Sequence, residues 1–279
     1  MGELYLVATP IGNLKDITIR AIEMLEGCDI VAAEDTRQTL KLLNHLGIRK
    51  PLISYHEHNK KFSGDKLIEK LKEGSTIALV SDAGTPGISD PGEDIVKLCI
   101  EEGIDVYACP GPVAGIYALT VSGLPTDKFV FEGFLEKEGK GRREGLARLK
   151  NERKTIILYE APHRLQKTLS EVYDVVGNRR IAICRELTKR YEEVLRLSLE
   201  DAIKHFNNNQ PKGEFVLILQ GLTEEEIEKE KEEKFKDLSI RDHLIQCIEG
   251  GMDKKEAIKA VCKERGIPKS EVYKESIDL

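Results

Sequence analysis

Five short, unbroken apolar runs in the first 123 residues constrain this chain most: residues 4–8, 30–33, 52–54, 77–80 and 106–109. A strand with one wet face alternates apolar and polar residues. These runs do not alternate, so each is expected to be covered on both faces, as strands of a parallel sheet are. The stretches between them have helical spacing. Ile17, Ala21, Met24 and Leu25 share one face; Leu40, Leu43 and Leu46 share another, with Gly47 placed to close the helix; Ile95, Leu98 and Cys99 mark a third. Strand and helix in alternation predict an α/β fold built on an open, mostly parallel sheet.

The segment Gly123-Leu124-Pro125-Thr126 reads as a hinge into a second α/β unit, with strands expected at 129–134, 155–159, 181–185, 193–199 and 215–219. Residues 193–199 alternate, which predicts an antiparallel portion and hence a mixed second sheet. Residues 136–144 (EKEGKGRRE) are polar and glycine-rich, and read as a mobile loop. Thr223 and Glu226 form a capping-box pattern at the head of a charged helix. Residues 239–279 read as two or three short helices, Gly266 closing one and Pro268 opening the next. The expected organisation is a first α/β domain at 1–123, a second at 124–222 that closes a cleft, a charged helical linker at 223–238 and a small helical domain at 239–279. That last domain either docks on RNA or caps the fold.

Charge narrows the class. The formal net charge is −6, and residues 223–237, with eight acids and four lysines, supply −4 of it. A broad positive field for nucleic acid is therefore excluded, although local basic runs remain. The six cysteines (28, 99, 109, 184, 247 and 262) form no CxxC pair and have no histidine at metal-ligand spacing, so they read as small buried hydrophobes in a reducing compartment. No metal is expected. No apolar run reaches the length of a membrane span, and the N-terminus lacks a basic stretch before an apolar core. A soluble, cytoplasmic protein is the expectation.

In an open parallel sheet, ligands bind where the strands end at their carboxyl edge. The loops there are 9–13 (TPIGN), 34–37 (EDTR), 55–59 (YHEHN), 81–92 (SDAGTPGISDPG) and 110–114 (PGPVA). Small residues let a ligand reach the backbone. There is no GxGxxG after the first strand and no GxxxxGK[ST], so neither a dinucleotide fold nor a P-loop is indicated. Two Gly-Pro loops after consecutive strands favour a small-molecule pocket.

These loops, taken with LYEAPHR at 158–164, resemble the ribosomal RNA small subunit methyltransferase I family of the tetrapyrrole methylase superfamily, from residue 4 to about 221 and more loosely through the tail. The resemblance implies a two-domain tetrapyrrole-methylase-like fold with S-adenosylmethionine folded in the cleft. It implies cofactor contacts from Pro10, Ala83, Gly84, Thr85, Ile88, Val113, Ala114, Tyr159, Glu160 and Leu197. It further implies a homodimer that methylates a cytidine ribose 2′-hydroxyl in 16S ribosomal RNA of the small subunit. AGTPG stands here where the corrin branch has GDP, so the contacts of that branch's Asp do not carry over.

A ribose hydroxyl is a poor nucleophile, and a general base accelerates its attack about 10²–10⁴-fold. Asp35 and Glu160 are the candidates. Asp35 either faces the crevice as a base or caps the following helix. Glu160 either contacts ligand or sits at a helix N-terminus, where the dipole favours a carboxylate. Arg37, Arg142, Arg143 and Arg164 are the RNA-binding candidates. Arg37 reads otherwise as a surface ion pair with Glu34, and Arg142 and Arg143 as ordinary loop residues. His56 and His58 are expected on opposite faces of a strand, too far apart in direction for zinc. Arg185, Glu186, Lys189 and Arg190 read as a solvated face or an RNA contact. Two other functions stay open: a tetrapyrrole methyltransferase with the same cleft, for which the charged 34–37 and 55–59 loops are poorly suited, and a non-enzymatic cleft-binding module.

Overall fold

The computed structural model describes residues 1–236, 238–277 and 279, and for residues 230–232 the backbone alone. Asp237, in the expected linker, and Asp278, in the expected tail domain, lie outside the described residues. The chain divides into two compact units, 1–221 and 222–279.

The first five strands are β1 (Leu4–Val7), β2 (Ile30–Ala33), β3 (Leu52–Ser54), β4 (Ile77–Val80) and β5 (Val106–Cys109). They form one sheet in the order β3-β2-β4-β1-β5, and every pairing is parallel. The unbroken apolar runs have the expected cause. In β4, Ile77 and Leu79 join one core cluster while Ala78 and Val80 join another on the opposite face. Helices α1 (Ile19–Gly27) and α2 (Thr36–Leu46) cover the second of these faces through Ala21, Leu25 and Leu43. Helices α3 (Lys60–Lys72) and α4 (Gly92–Glu101) cover the first through Leu67, Leu71, Ile95 and Cys99. The chain leaving β4 thus turns to one face, while the chains leaving its neighbours β1 and β2 turn to the other. Loops that diverge in this way leave a crevice at the carboxyl end of β4.

Helix α5 (Ala114–Ser122) ends at Gly123, whose φ of 77° is the left-handed closure that glycine adopts without strain. Beyond it lie β6 (Phe129–Phe134), α6 (Gly139–Asn151), β7 (Thr155–Glu160), α7 (Leu165–Val176), β8 (Arg180–Arg185), β9 (Glu193–Ser198), α8 (Leu199–Asn208) and β10 (Phe215–Leu219). The second sheet runs β6-β7-β10-β8-β9. Only β6 and β7 pair in parallel; β10 lies antiparallel between β7 and β8, and β9 is antiparallel to β8. One face packs on α6, α7 and α8 and the other on α5, with Ala118 and Leu119 set against Ile157, Ala182, Cys184, Val216 and Ile218. So α5, which precedes the Gly123 turn, belongs by packing to the second sheet.

Residues 136–144 are not a mobile loop. From Gly139 they form the first turns of α6, and Arg142 is 4% exposed. Its Nε donates to Glu171 Oε2 at 2.7 Å, Nη1 to the Glu136 carbonyl at 2.9 Å and Nη2 to Thr168 Oγ1 at 2.9 Å. This corrects its reading as a loop residue open to RNA: a buried guanidinium bonded through all three of its nitrogens holds α6 onto α7 and is not presented to a phosphate. Arg143, one position on, is exposed.

The 222–279 unit consists of α9 (Glu224–Lys234), α10 (Ile240–Glu249), α11 (Lys254–Arg265) and α12 (Lys269–Glu275). Thr223 and Glu226 make the reciprocal capping bonds at the head of α9. Gly266 closes α11 in the left-handed region, and Leu244, Ile258, Val261 and Val272 form a small core.

Candidate active site

The loops at the carboxyl edge of the first sheet are tied to one another. Thr9 and Gly84 form an isolated antiparallel bridge, with N–H to O distances of 2.8 and 3.0 Å. The Thr85 hydroxyl donates to the Pro112 carbonyl at 3.1 Å, joining the β4 loop to the β5 loop. Gly84 has φ 84°, and a Cβ there would stand 3.2 Å from Ile11 Cγ2 and 3.4 Å from the Pro112 oxygen. Only glycine lets three loops close this tightly in that conformation.

Between these loops and the second sheet lies a cavity of about 450 Å³, within the size range of small-molecule sites. Eight residues expected at the cofactor line it: Ala83, Gly84, Thr85, Ile88, Val113, Ala114, Tyr159 and Glu160. Two do not. Pro10 is not part of the lining, and the next residue, Ile11, supplies the wall there. Leu197 lines a separate, smaller cavity of about 230 Å³ with Arg180 and Arg196, because β9 is the far edge of the second sheet. Tyr159 is fixed on three sides. Its hydroxyl accepts the Gly115 N–H at 3.0 Å, and Phe131 and Phe134 meet its ring edge-on at 5.2 and 5.5 Å. Burial pushes its phenol above the ordinary range.

Sequence reasoning missed Glu34, Asp82, Asp90, Phe134 and the start of β10 (Glu214, Phe215, Val216), all of which line the cavity. Looking past the carboxyl ends of strands finds ligand loops only where strands are parallel. β10 runs antiparallel to β7, so its amino end reaches the same edge. The signal available was the alternation that marked the second sheet as mixed.

Both expected bases are committed elsewhere. Asp35 is the N-cap of α2: its Oδ1 accepts the Arg37 N–H at 2.8 Å, and Arg37 Nε and Nη2 grip the two carboxylate oxygens at 3.0 and 2.8 Å. The Arg37 side chain, followed by its backbone N–H, pulls the Asp35 carboxyl down to about 2. A carboxylate that weakly basic is a poor proton acceptor at neutral pH. Arg37 therefore pairs with Asp35 rather than Glu34, and its side chain stays 87% exposed. Glu160 is 2% exposed. It accepts from Thr168 Oγ1 at 2.5 Å and from the Ala161 N–H at 2.9 Å, and pairs with Arg164 Nε at 3.1 Å. These partners make it the brace of the β7–α7 turn. Arg164 also donates to the Leu135 carbonyl, so that guanidinium is tied inward too.

His56 and His58 lie beyond the end of β3, in a turn that Asn59 builds by accepting the His56 N–H and donating to the Ser54 carbonyl. The expected strand placement does not hold. Among the described residues, no group of three His, Cys, Asp or Glu side chains could hold a metal ion. Lys189 bridges Glu186 and Glu214 at 3.1 and 2.7 Å, and Arg185 pairs with Glu193 at 3.4 Å, so most of the 185–190 cluster is an internal network. No described helix is long and apolar enough to cross a membrane.

The cavity suits a sulfonium nucleoside. Ile88, Val113, Ala114, Phe134 and Val216 give it an apolar wall for a flat ring. Glu34, Asp82 and Asp90 give it a negative one, which lowers the cost of holding a cationic sulfur away from water.

The two-sheet α/β fold with this crevice is that of the two-domain methylases, and residues 3–203 match the family of Tetrapyrrole (Corrin/Porphyrin) Methylases. The chain belongs to that family, in its ribosomal RNA small subunit methyltransferase I branch, and is a methyltransferase with S-adenosylmethionine as its cofactor. The protein of that name from Halalkalibacterium halodurans is 53% identical over 98% of this chain and 93% of its own. Its counterpart from Thermotoga maritima is 48% identical over 221 residues, 79% of this chain and 99% of its own. Among solved structures, uroporphyrin-III C-methyltransferase from Thermus thermophilus, complexed with S-adenosylhomocysteine, superposes with a TM-score of 0.56 at 18% identity, covering 78% of this chain and 97% of its own.

Proposed function

We propose that this protein methylates small-subunit ribosomal RNA, at the ribose 2′-hydroxyl of a cytidine. The observation that carries this reading is the 53% identity, over almost the whole length of both chains, to a protein named for small-subunit ribosomal RNA methylation. The cavity supports it. Ala83, Gly84, Thr85, Ile88, Val113, Ala114 and Tyr159 would hold S-adenosylmethionine, and the exposed Arg37 and Arg143 would meet phosphates.

S-adenosylmethionine supplies an already activated methyl group, so no metal or covalent enzyme intermediate is required. What the chain must add is alignment of the nucleophile, an orientation effect of up to roughly 7–11 kcal/mol, and a place for its proton. The net charge of −6 fits recognition of packaged RNA by shape and local patches rather than by a broad positive field. The reading includes a homodimer working in the cytoplasm.

The test offers labelled S-adenosylmethionine with small ribosomal subunits, with naked 16S RNA and with a precorrin. Transfer to a cytidine ribose in the subunit is expected. Transfer to the precorrin alone would establish the tetrapyrrole alternative, and no cofactor binding at all would favour a non-enzymatic module.

A further inference from the structure

Five carboxylates line the cavity, and four of them have work to do. Asp82 Oδ1 accepts the Asp35 N–H at 2.9 Å and so helps hold the start of α2. Asp90 accepts the Gly87 and Gly92 N–H groups at 2.9 and 2.8 Å, closing the glycine-rich loop on itself. Glu160 braces the β7–α7 turn, and Glu214 pairs with Lys189. The fifth, Glu34, makes no hydrogen bond or ion pair with any described residue. It follows β2, next to β4 in the sheet, at the mouth of the crevice. Arg37, the cation nearest in sequence, is turned away onto Asp35.

We infer that Glu34 is the general base of this methyltransferase, its carboxylate taking the proton of the substrate hydroxyl. The inference rests on the function proposed above. As the hydroxyl oxygen bonds to the methyl carbon, the sulfur–methyl bond breaks and its electron pair stays on sulfur. The proton passes to a Glu34 carboxylate oxygen, and Glu34 returns it to water afterwards. Half-burial, then the charges of Asp82 and Asp90, raise the Glu34 carboxyl above its ordinary range, which brings its basicity closer to that required at neutral pH. The Asp35–Arg37 pair follows it at the start of α2, and Tyr55, His56, Glu57 and His58 follow the neighbouring strand β3.

The test compares wild type, E34Q and E34D on small ribosomal subunits, with calorimetry of S-adenosylmethionine binding and thermal melts beside the rates. E34Q should lower kcat at saturating cofactor about 10²–10⁴-fold and abolish the acidic limb of the pH–rate profile, a loss far larger than the fall in cofactor affinity from removing one of the three negative charges on that wall. E34D should restore part of the rate. In the unliganded protein, the ¹³C carboxyl signal that E34Q removes should titrate above the ordinary Glu value of about 4.3. Wild type that transfers no methyl to RNA overturns the proposed function and this inference together. An active wild type with an equally active E34Q overturns the inference alone. So does parallel loss of affinity and melting temperature in both variants, or a Glu34 signal that titrates at or below the ordinary value.

Discussion

Arg142 and Arg143 are adjacent, both carry a charge, and the structure gives them opposite surroundings, the first buried and the second exposed. Arg142 is 4% exposed and donates to Glu171, Thr168 and the Glu136 carbonyl. Arg142→Ala leaves the Thr168 hydroxyl and the Glu136 carbonyl each short of a partner, and Glu171 without its cation. Breaking a fully buried pair costs about 3–5 kcal/mol. The Glu171 side chain is 31% exposed, so water takes over part of its solvation and the expected loss is about 2–4 kcal/mol. For a folding unit of this size that is a drop of roughly 5–15 °C in melting temperature. Arg142→Lys should recover little, because an ammonium cannot reproduce a three-way fork. Arg143→Ala should leave the melt unchanged and weaken RNA binding, with a shallower salt dependence. Urea denaturation and RNA titration at several salt concentrations measure both. An Arg142→Ala protein that unfolds within about 0.5 kcal/mol of wild type yet loses RNA affinity would refute the assignment.

Three further outcomes are expected. Because the folded-state Glu34 carboxyl is raised, the folded protein holds that proton more tightly, and stability falls as pH rises through the raised value. E34Q should therefore melt above wild type at neutral pH, with the gap closing as pH falls below the ordinary Glu range; scanning calorimetry at several pH values reads this. Gly84→Ala forces a side chain into φ 84° beside Ile11, which should destabilise by about 1–2 kcal/mol and weaken S-adenosylmethionine binding by calorimetry. A chain ended after Gly221 should keep cofactor affinity, since residues 1–221 form one compact unit and the Thermotoga maritima relative matches over 221 residues with 99% of its length; an unfolded or non-binding fragment would contradict this.

The first sheet was legible because burial on both faces removes polar residues from β1, β2 and β4 altogether. The glycine-rich loops were legible because closure on a ligand needs small residues at fixed places. Helix α6 was not. Its sequence holds Gly139, Gly141 and Gly145, which weaken a helix by propensity. Their use is tertiary: a Cβ on Gly145 would lie 2.9 Å from Leu135, and one on Gly141 would lie 3.0 Å from Glu136. Nor did the EDTR loop show which acid would take Arg37. Glu34 and Asp35 lie three and two residues before Arg37, both within reach of its side chain, and the helix start at Thr36 decides by turning Asp35 into the cap beside the arginine. That choice frees Glu34, and no spacing rule encodes it.

The central claim is that the loops after β1, β4 and β5 meet the second sheet around one hollow that holds the methyl donor. Calorimetry of S-adenosylmethionine against wild type and Ala114→Phe, a substitution that fills the cavity, tests it most directly. One molecule bound per chain in wild type, and none in an Ala114→Phe protein of unchanged melting temperature, is the predicted result. Equal binding by the two proteins would move the donor elsewhere and contradict the account.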